Sequence, residues 1–387
     1  MKNNLTTTNQ NAKLALSKSK SLLDITNKLL SKKDISQLIQ SFQFKPFLKE
    51  KEDPYGVFSV AISPDGKTIV SGSGDIKIWD MQSGKCINTL DRYCFFSVSS
   101  VAISPDGKIV VSGSAEAIKI WNMQSGECLN TLGGHLFSVN SVAIRPNGKT
   151  IVSGDCYGDI KIWDMQSGAC LNTIEKGYSG EEGHLDRVHS VAISPDGKTI
   201  VSGSEDNTIK IWDMQSGECL NTLRGHSYGV FSVAISPDGK TIVSGSSDLY
   251  EDEEDDEYED EYEEDDEYEE KYNKKDVTIK IWNLQSGECL STLWGHSSWV
   301  RSVAISSDGK TIVSGSSDDT IKIWDMQSGE CIYTIDIEAK VSIDKDGYFV
   351  GELADIKEYV RVSEAPLTQR ELTDEEIKHF RKKGNFL

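Results

Sequence analysis

Three times along the 387-residue chain a histidine, a serine and an aspartate recur in the same order and at the same separation: His184, Ser202 and Asp206; His226, Ser244 and Asp248; His296, Ser314 and Asp318. Hydroxyl, imidazole and carboxylate are the parts of a hydrolytic triad, in which the base takes the serine proton and an oxyanion hole receives the developing charge. A reaction centre is needed once, however, and here each set travels with a tryptophan: Trp212, Trp282 and Trp324. The recurrence points to architecture. No P-loop, metal-ligand cluster or separate acid–base set stands outside these copies, so no catalytic residue and no cofactor is expected and the chain is read as nonenzymatic.

Two other groups could do chemistry. Six of the eight cysteines (Cys86, Cys128, Cys170, Cys219, Cys289 and Cys331) hold the same position in successive copies, while Cys94 and Cys156 are isolated and no CxxC is present. Neither zinc nor a disulfide framework is indicated, and reduced thiols fit a cytoplasmic address. Asp344-Lys345-Asp346-Gly347 resembles the start of a calcium loop, but the glutamate such a loop needs at its twelfth position is missing. No metal is expected.

The elements that position the recurring residues are best seen in 190–223, SVAISPDGKTIVSGSEDNTIKIWDMQSGECLNTL. Val191-Ala192-Ile193 and Ile200-Val201 are short apolar runs separated by a Pro-Asp-Gly turn, and Ile209-Lys210-Ile211-Trp212 alternates with period two. A second turn, Gln215-Ser216-Gly217, leads to a weakly alternating fourth strand suited to a sheet edge. One unit is a four-stranded antiparallel meander whose faces are covered only by stacking on further copies. The anchor valines Val60, Val101, Val142, Val191, Val233 and Val303 are separated by 41, 41, 49, 42 and 70 residues, the long steps reflecting insertions. A period in the low forties, a Gly-His pair before the first strand and a Trp-Asp pair closing the third resemble the WD-repeat β-propeller family from about Val57 to Ile335.

That resemblance implies an all-β fold and a buried hydrogen-bond chain of tryptophan, second-strand serine, Gly-His histidine and turn aspartate. It falls on Trp212, Ser202, His184 and Asp206; on Trp282, Ser244, His226 and Asp248; and on Trp324, Ser314, His296 and Asp318. It also implies that first-strand residues flanking the anchor open onto a top face: Phe58, Ser99, Asn140, Arg187, His189, Phe231, Trp299 and Arg301, with Glu205 before the turn aspartate. Aromatic and arginine side chains at such points are the types that dominate interface energetics.

The propeller is expected to have seven blades over 43–364: six clear copies and a degenerate seventh at 340–362, with 43–49 as candidate closing strand. Blades one and two are worn, lacking the histidine. Residues 1–42 form a polar tip and a basic amphipathic helical extension, and 365–387 a tail with a short helix introduced by the capping box Thr373-Asp374-Glu375-Glu376. Residues 250–276 interrupt blade five, and Glu251–Glu270 holds 17 acidic residues, so that the net charge of −21 falls to −4 without it. Such a run is read as solvated and disordered. It stands open as a tolerated expansion, a docking arm for a basic partner, or a weak cation binder. No uninterrupted apolar run reaches the length of a membrane span. The leading function is a noncatalytic scaffold binding a peptide or protein on the top face, as a monomeric propeller in a larger complex with no direct nucleic-acid contact. A binder of histone-like or nucleic-acid-binding partners through the acidic loop, and a propeller enzyme with a channel site, are the alternatives.

Overall fold

The computed structural model describes residues 57–91, 97–115, 117–178, 183–246 and 277–336, and four short strands beyond them. The amino-terminal helices expected within 1–42, the closing strand expected at 43–49, the acidic insertion and the helix expected after Thr373 fall outside the described residues. All regular structure among the described residues is strand. It forms a six-bladed β-propeller, each blade a four-stranded antiparallel sheet with its strands a to d in chain order.

Blade four shows how the sequence builds the unit from strands Val188–Ile193, Thr199–Ser204, Ile209–Asp213 and Cys219–Leu223. In the first turn the Ser194 hydroxyl donates to Asp196 at 2.6 Å and accepts the Thr199 amide at 3.0 Å, while Gly197 takes φ 70°. In the third turn Asp213 accepts the amides of Gln215 and Ser216. These side chains satisfy turn amides that no strand reaches. Register then places Val191 opposite Ser202 and Ile200 opposite Trp212.

Blades pack in sequence, strand a of each against strand a of the next. The apolar layer between blades three and four joins Val152, Ile160 and Ile162 to Val188, Val191 and Trp212. A hydrogen bond repeats at each of these interfaces: the strand-a serine hydroxyl accepts the amide of the next anchor valine, as Ser59 does from Val101 at 2.9 Å and Ser190 from Val233 at 3.2 Å. Close approach also requires the glycine of Ser-Gly-Ser. A Cβ on Gly203 would stand 2.7 Å from Val230 Cγ1. Strand d is the outer edge, with Leu223 buried and Leu220 exposed.

The seventh blade expected at 340–362 is not found as a separate sheet among the described residues. Val341–Ile343 and Phe349–Gly351 do make the hairpin aligned with strands a and b, but they continue the sixth sheet outward, through a bridge from Thr334 to Ile343. Arg361–Glu364, aligned with strand c, pairs instead with Thr368–Glu371. The segment has no tryptophan and no Ser-Gly-Ser. It therefore lacks the polar tie that holds strand c to strand b in the six blades, and its described strands do not assemble into a sheet of their own.

Candidate functional site

The polar chains come first because they position the ends of the strands. In blade four the Trp212 indole donates to Ser202 Oγ at 2.7 Å, and that oxygen lies 2.6 Å from His184 Nε2. His184 Nδ1 is 2.8 Å from Asp206, which also accepts the Leu185 amide. With the indole occupying an acceptor site on Ser202, its hydroxyl proton points to Nε2, so that Nδ1 carries the imidazole proton to the carboxylate. Burial pushes His184 down, against the pull of Asp206, and keeps the ring neutral. Burial also works against ionisation of Asp206, but the His184 contact and the Thr208 hydroxyl outweigh it and hold the carboxyl well below its usual range.

Blade six repeats the set in Trp324, Ser314, His296 and Asp318. In blade five Trp282 and His226 meet on Ser244, while Asp248 falls outside the described residues. Ser202, Ser244 and Ser314 are fully buried, with their hydroxyls engaged on both sides. No substrate carbonyl can reach them, which rules out these sets as triads.

Blade three carries a complete chain that the repeat pattern does not reveal: Trp163 to Ser153, Ser153 to His135, and His135 Nδ1 to Asp155 at 2.7 Å. Its aspartate ends strand b, where the other blades have the second serine of Ser-Gly-Ser. Among the described residues, blades one and two show of this chain only the indole–serine bond, Trp79 to Ser71 and Trp121 to Ser112.

The side chains at the start of strand a form the second feature. His189, Phe231 and Trp299 come from blades four, five and six, yet their rings lie in one row: His189 on Phe231 at 4.4 Å and 19°, Phe231 on Trp299 at 5.5 Å and 24°. Arg301 lies against two rings of the row, its guanidinium 4.1 Å from the Trp299 ring centre and 5.5 Å from that of Phe231, and is held through Nε to Ser317 Oγ at 2.8 Å. At the other end His189 Nε2 bonds Glu205, whose carboxyl is held low by that bond and by the charges of His189 and Arg187. Offset stacking and the cation over the ring make this a preformed, semi-rigid surface. Sequence reasoning named these residues but not Ser317.

The remaining positions behave differently. Asn140 donates to the Val188 carbonyl at 3.1 Å and ties strand a of blade three to that of blade four. Phe58 is 47% exposed on blade one and Ser99 half-buried on blade two, and neither joins the row. Among the described residues no group of three or more His, Cys, Asp or Glu could hold a metal ion.

Comparison with known proteins agrees with this geometry. The family model described as "WD domain, G-beta repeat" matches residues 45–80, 84–122, 126–164, 169–213, 217–249 and 287–325. The chain belongs to the WD40 repeat family. Similar curated proteins include nuclear distribution protein PAC1 of Mycosarcoma maydis, 52% identical over 40 residues that make up 10% of this chain and 9% of the relative. The Lissencephaly-1 homolog of Heterostelium pallidum is 50% identical over 40 residues, 10% of each chain. PAC1 of Coccidioides posadasii is 46% identical over 44 residues, 11% of this chain and 9% of the relative. The match spans about a tenth of the length of these relatives, the size of a single WD repeat.

Proposed function

We propose that this WD40 propeller is a noncatalytic protein-interaction scaffold that takes a peptide or protein segment across the row His189–Phe231–Trp299–Arg301. The observation that carries the reading is the row itself. Three blades with nearly the same sequence place His189, Phe231 and Arg301 at equivalent points, and with Trp299, two residues ahead of Arg301, these side chains form one continuous aromatic and cationic surface. Such surfaces lose little conformational entropy on binding, which favours affinity. Membership of a repeat family built from stacked modules supports the scaffold role. A cytoplasmic address is supported by free thiols at the described cysteines.

A second observation favours a basic partner. Strand b of blade five ends at Ser246, which pairs with Val230, the neighbour of Phe231, and the 17 acidic residues of the insertion at 250–276 follow it in the sequence. They would raise the local concentration of a cationic partner.

Affinity capture with the parent protein, a Trp299→Ala/Arg301→Ala variant and a chain lacking 251–270 tests both readings. Loss of specific partners from the double variant, with the deletion retaining them at lower yield, is the expected result. Unchanged capture by a correctly folded double variant sinks the proposed face, and complete loss on deletion alone transfers the function to the acidic arm.

A further inference from the structure

Two departures from the repeat, both outside the row just described, meet in space. The first is the turn of blade three, where Cys156-Tyr157-Gly158 replaces the polar turn of blades four and six. The second is the longer connection from Glu175 onward into blade four. The Lys176 amide donates to Asp159 at 2.8 Å and the Gly177 amide to the His184 carbonyl at 2.8 Å. Gly158 fits closely beneath, since a Cβ there would stand 3.0 Å from the Asp186 carbonyl oxygen and 3.2 Å from Lys176 Cγ.

The result is an aromatic cluster. Phe137 stacks on Tyr157 at 4.8 Å and 13°, the Tyr157 and Tyr178 hydroxyls are 3.4 Å apart, and the Lys176 ammonium lies 4.7 Å from the centre of the Tyr157 ring. Leu136, next to Phe137, is 90% exposed, and Leu185 and Tyr178 are also open to solvent. Blades five and six have Ser227-Tyr228 and Ser297-Ser298 where blade three has Leu136-Phe137, so the blade itself does not require an apolar pair there. A contiguous exposed group of this kind marks an interaction surface.

The chemistry of the occupant follows from what already sits on the cluster. The Tyr157 ring accepts an ammonium, supplied within the chain by Lys176, which stands in for a partner's basic side chain. Asp159, which accepts the Lys176 amide, Asp186, whose carbonyl borders Gly158, and Glu175, next to Lys176 in the chain, outnumber that lysine. We propose that the shoulder of blades three and four is a second docking surface, which takes an extended segment carrying arginine or lysine beside aliphatic side chains. The cationic groups lie against the aromatic faces and carboxylates, and the aliphatic groups cover Leu136 and Leu185. This surface is built by residues other than the His189–Trp299 row, so the two proposals fail separately.

A photo-crosslinkable peptide of alternating arginine and leucine, mixed with the full-length protein and mapped by mass spectrometry, tests it. Adducts are expected at 136–137, 157 and 178, with apparent affinity falling at least fivefold in Leu136→Ser/Tyr178→Ser, whose exposed positions leave the fold unchanged by circular dichroism. Trp299→Ala/Arg301→Ala retains these adducts. Adducts confined to 251–270 or to the row, unchanged affinity in Leu136→Ser/Tyr178→Ser, or equal binding of the glutamate–leucine counterpart overturns the assignment.

Discussion

Trp212 gives its indole hydrogen to Ser202 Oγ at 2.7 Å inside a blade where neither side chain is in contact with solvent. Because His184 Nε2 uses the same oxygen at 2.6 Å, the serine is the junction of the blade-four polar chain. Ser202→Ala leaves two buried polar groups without their partner. It is expected to cost about 2–4 kcal/mol, since each orphaned group loses roughly 1–3 kcal/mol. In blade one Ser71 serves, among the described residues, Trp79 alone, and the preceding connection contains no histidine. Ser71→Ala should cost about half as much by the same reasoning. Urea unfolding of the two variants beside the parent measures the difference, and equal losses would show that the histidine adds nothing to the junction.

Trp212→Ala removes a far larger buried group and should destabilise the fold by about 3–5 kcal/mol through the void it leaves. Trp299→Ala/Arg301→Ala removes a ring stack, exposed cation–π contacts and the Arg301–Ser317 hydrogen bond at a half-exposed surface, and should cost about 1–3 kcal/mol. Thermal melts separate the two classes. A large drop for the row variant would mean that the stack holds the blades together instead of waiting for a partner.

Acid should weaken the propeller through its buried His184, His226 and His296, whose folded values burial lowers, before its surface carboxylates titrate. Burial, helped by the nearby charge of Lys280, pushes His226 down to about 3. The folded value lies below the unfolded one of about 6.5, so the unfolded chain takes up the proton first. The stabilising contribution is complete above that unfolded value and is lost as pH falls toward the folded one. At pH 5 the loss from this residue amounts to about 2 kcal/mol. Unfolding free energies at pH 7 and pH 5 should therefore differ less for His226→Gln than for the parent. Identical pH dependence would place a charged imidazole in the native blade.

The modular part of this fold could be read from the chain because each copy repeats turn chemistry, strand alternation and tryptophan together. Local pattern and tertiary packing then agree at every blade. What escaped was set by contacts between copies or by edits within them. Asp155 went unrecognised because it occupies a strand position that reads as serine elsewhere, although the backbone brings it to His135 as Asp206 comes to His184. The row positions of His189, Phe231 and Trp299 were nameable from the repeat register, but their stacking depends on the spacing of adjacent strands a. The cluster at Tyr157 needed two irregular segments to fold against one another. The segment 340–362 kept the apolar alternation of a blade without its polar tie, and alternation alone did not determine where its strands would pair.

Blade spacing makes a prediction of its own. The Cβ of Gly203→Ala meets Val230 Cγ1 at 2.7 Å and Val233 Cγ1 at 3.0 Å, both on the next blade and both part of the buried layer. Two β-branched side chains packed between sheets have little rotamer freedom with which to retreat. The substitution should therefore push the blades apart at a cost of about 1–3 kcal/mol, the usual range for overpacking. Trimming the neighbour in Gly203→Ala/Val230→Ala relieves the clash while removing apolar contact. The double variant should then be less unstable than the sum of its single changes, with a coupling of about 1 kcal/mol or more for residues in direct contact. Strict additivity in a double-mutant cycle would mean that the blades are not held at the separation this glycine requires.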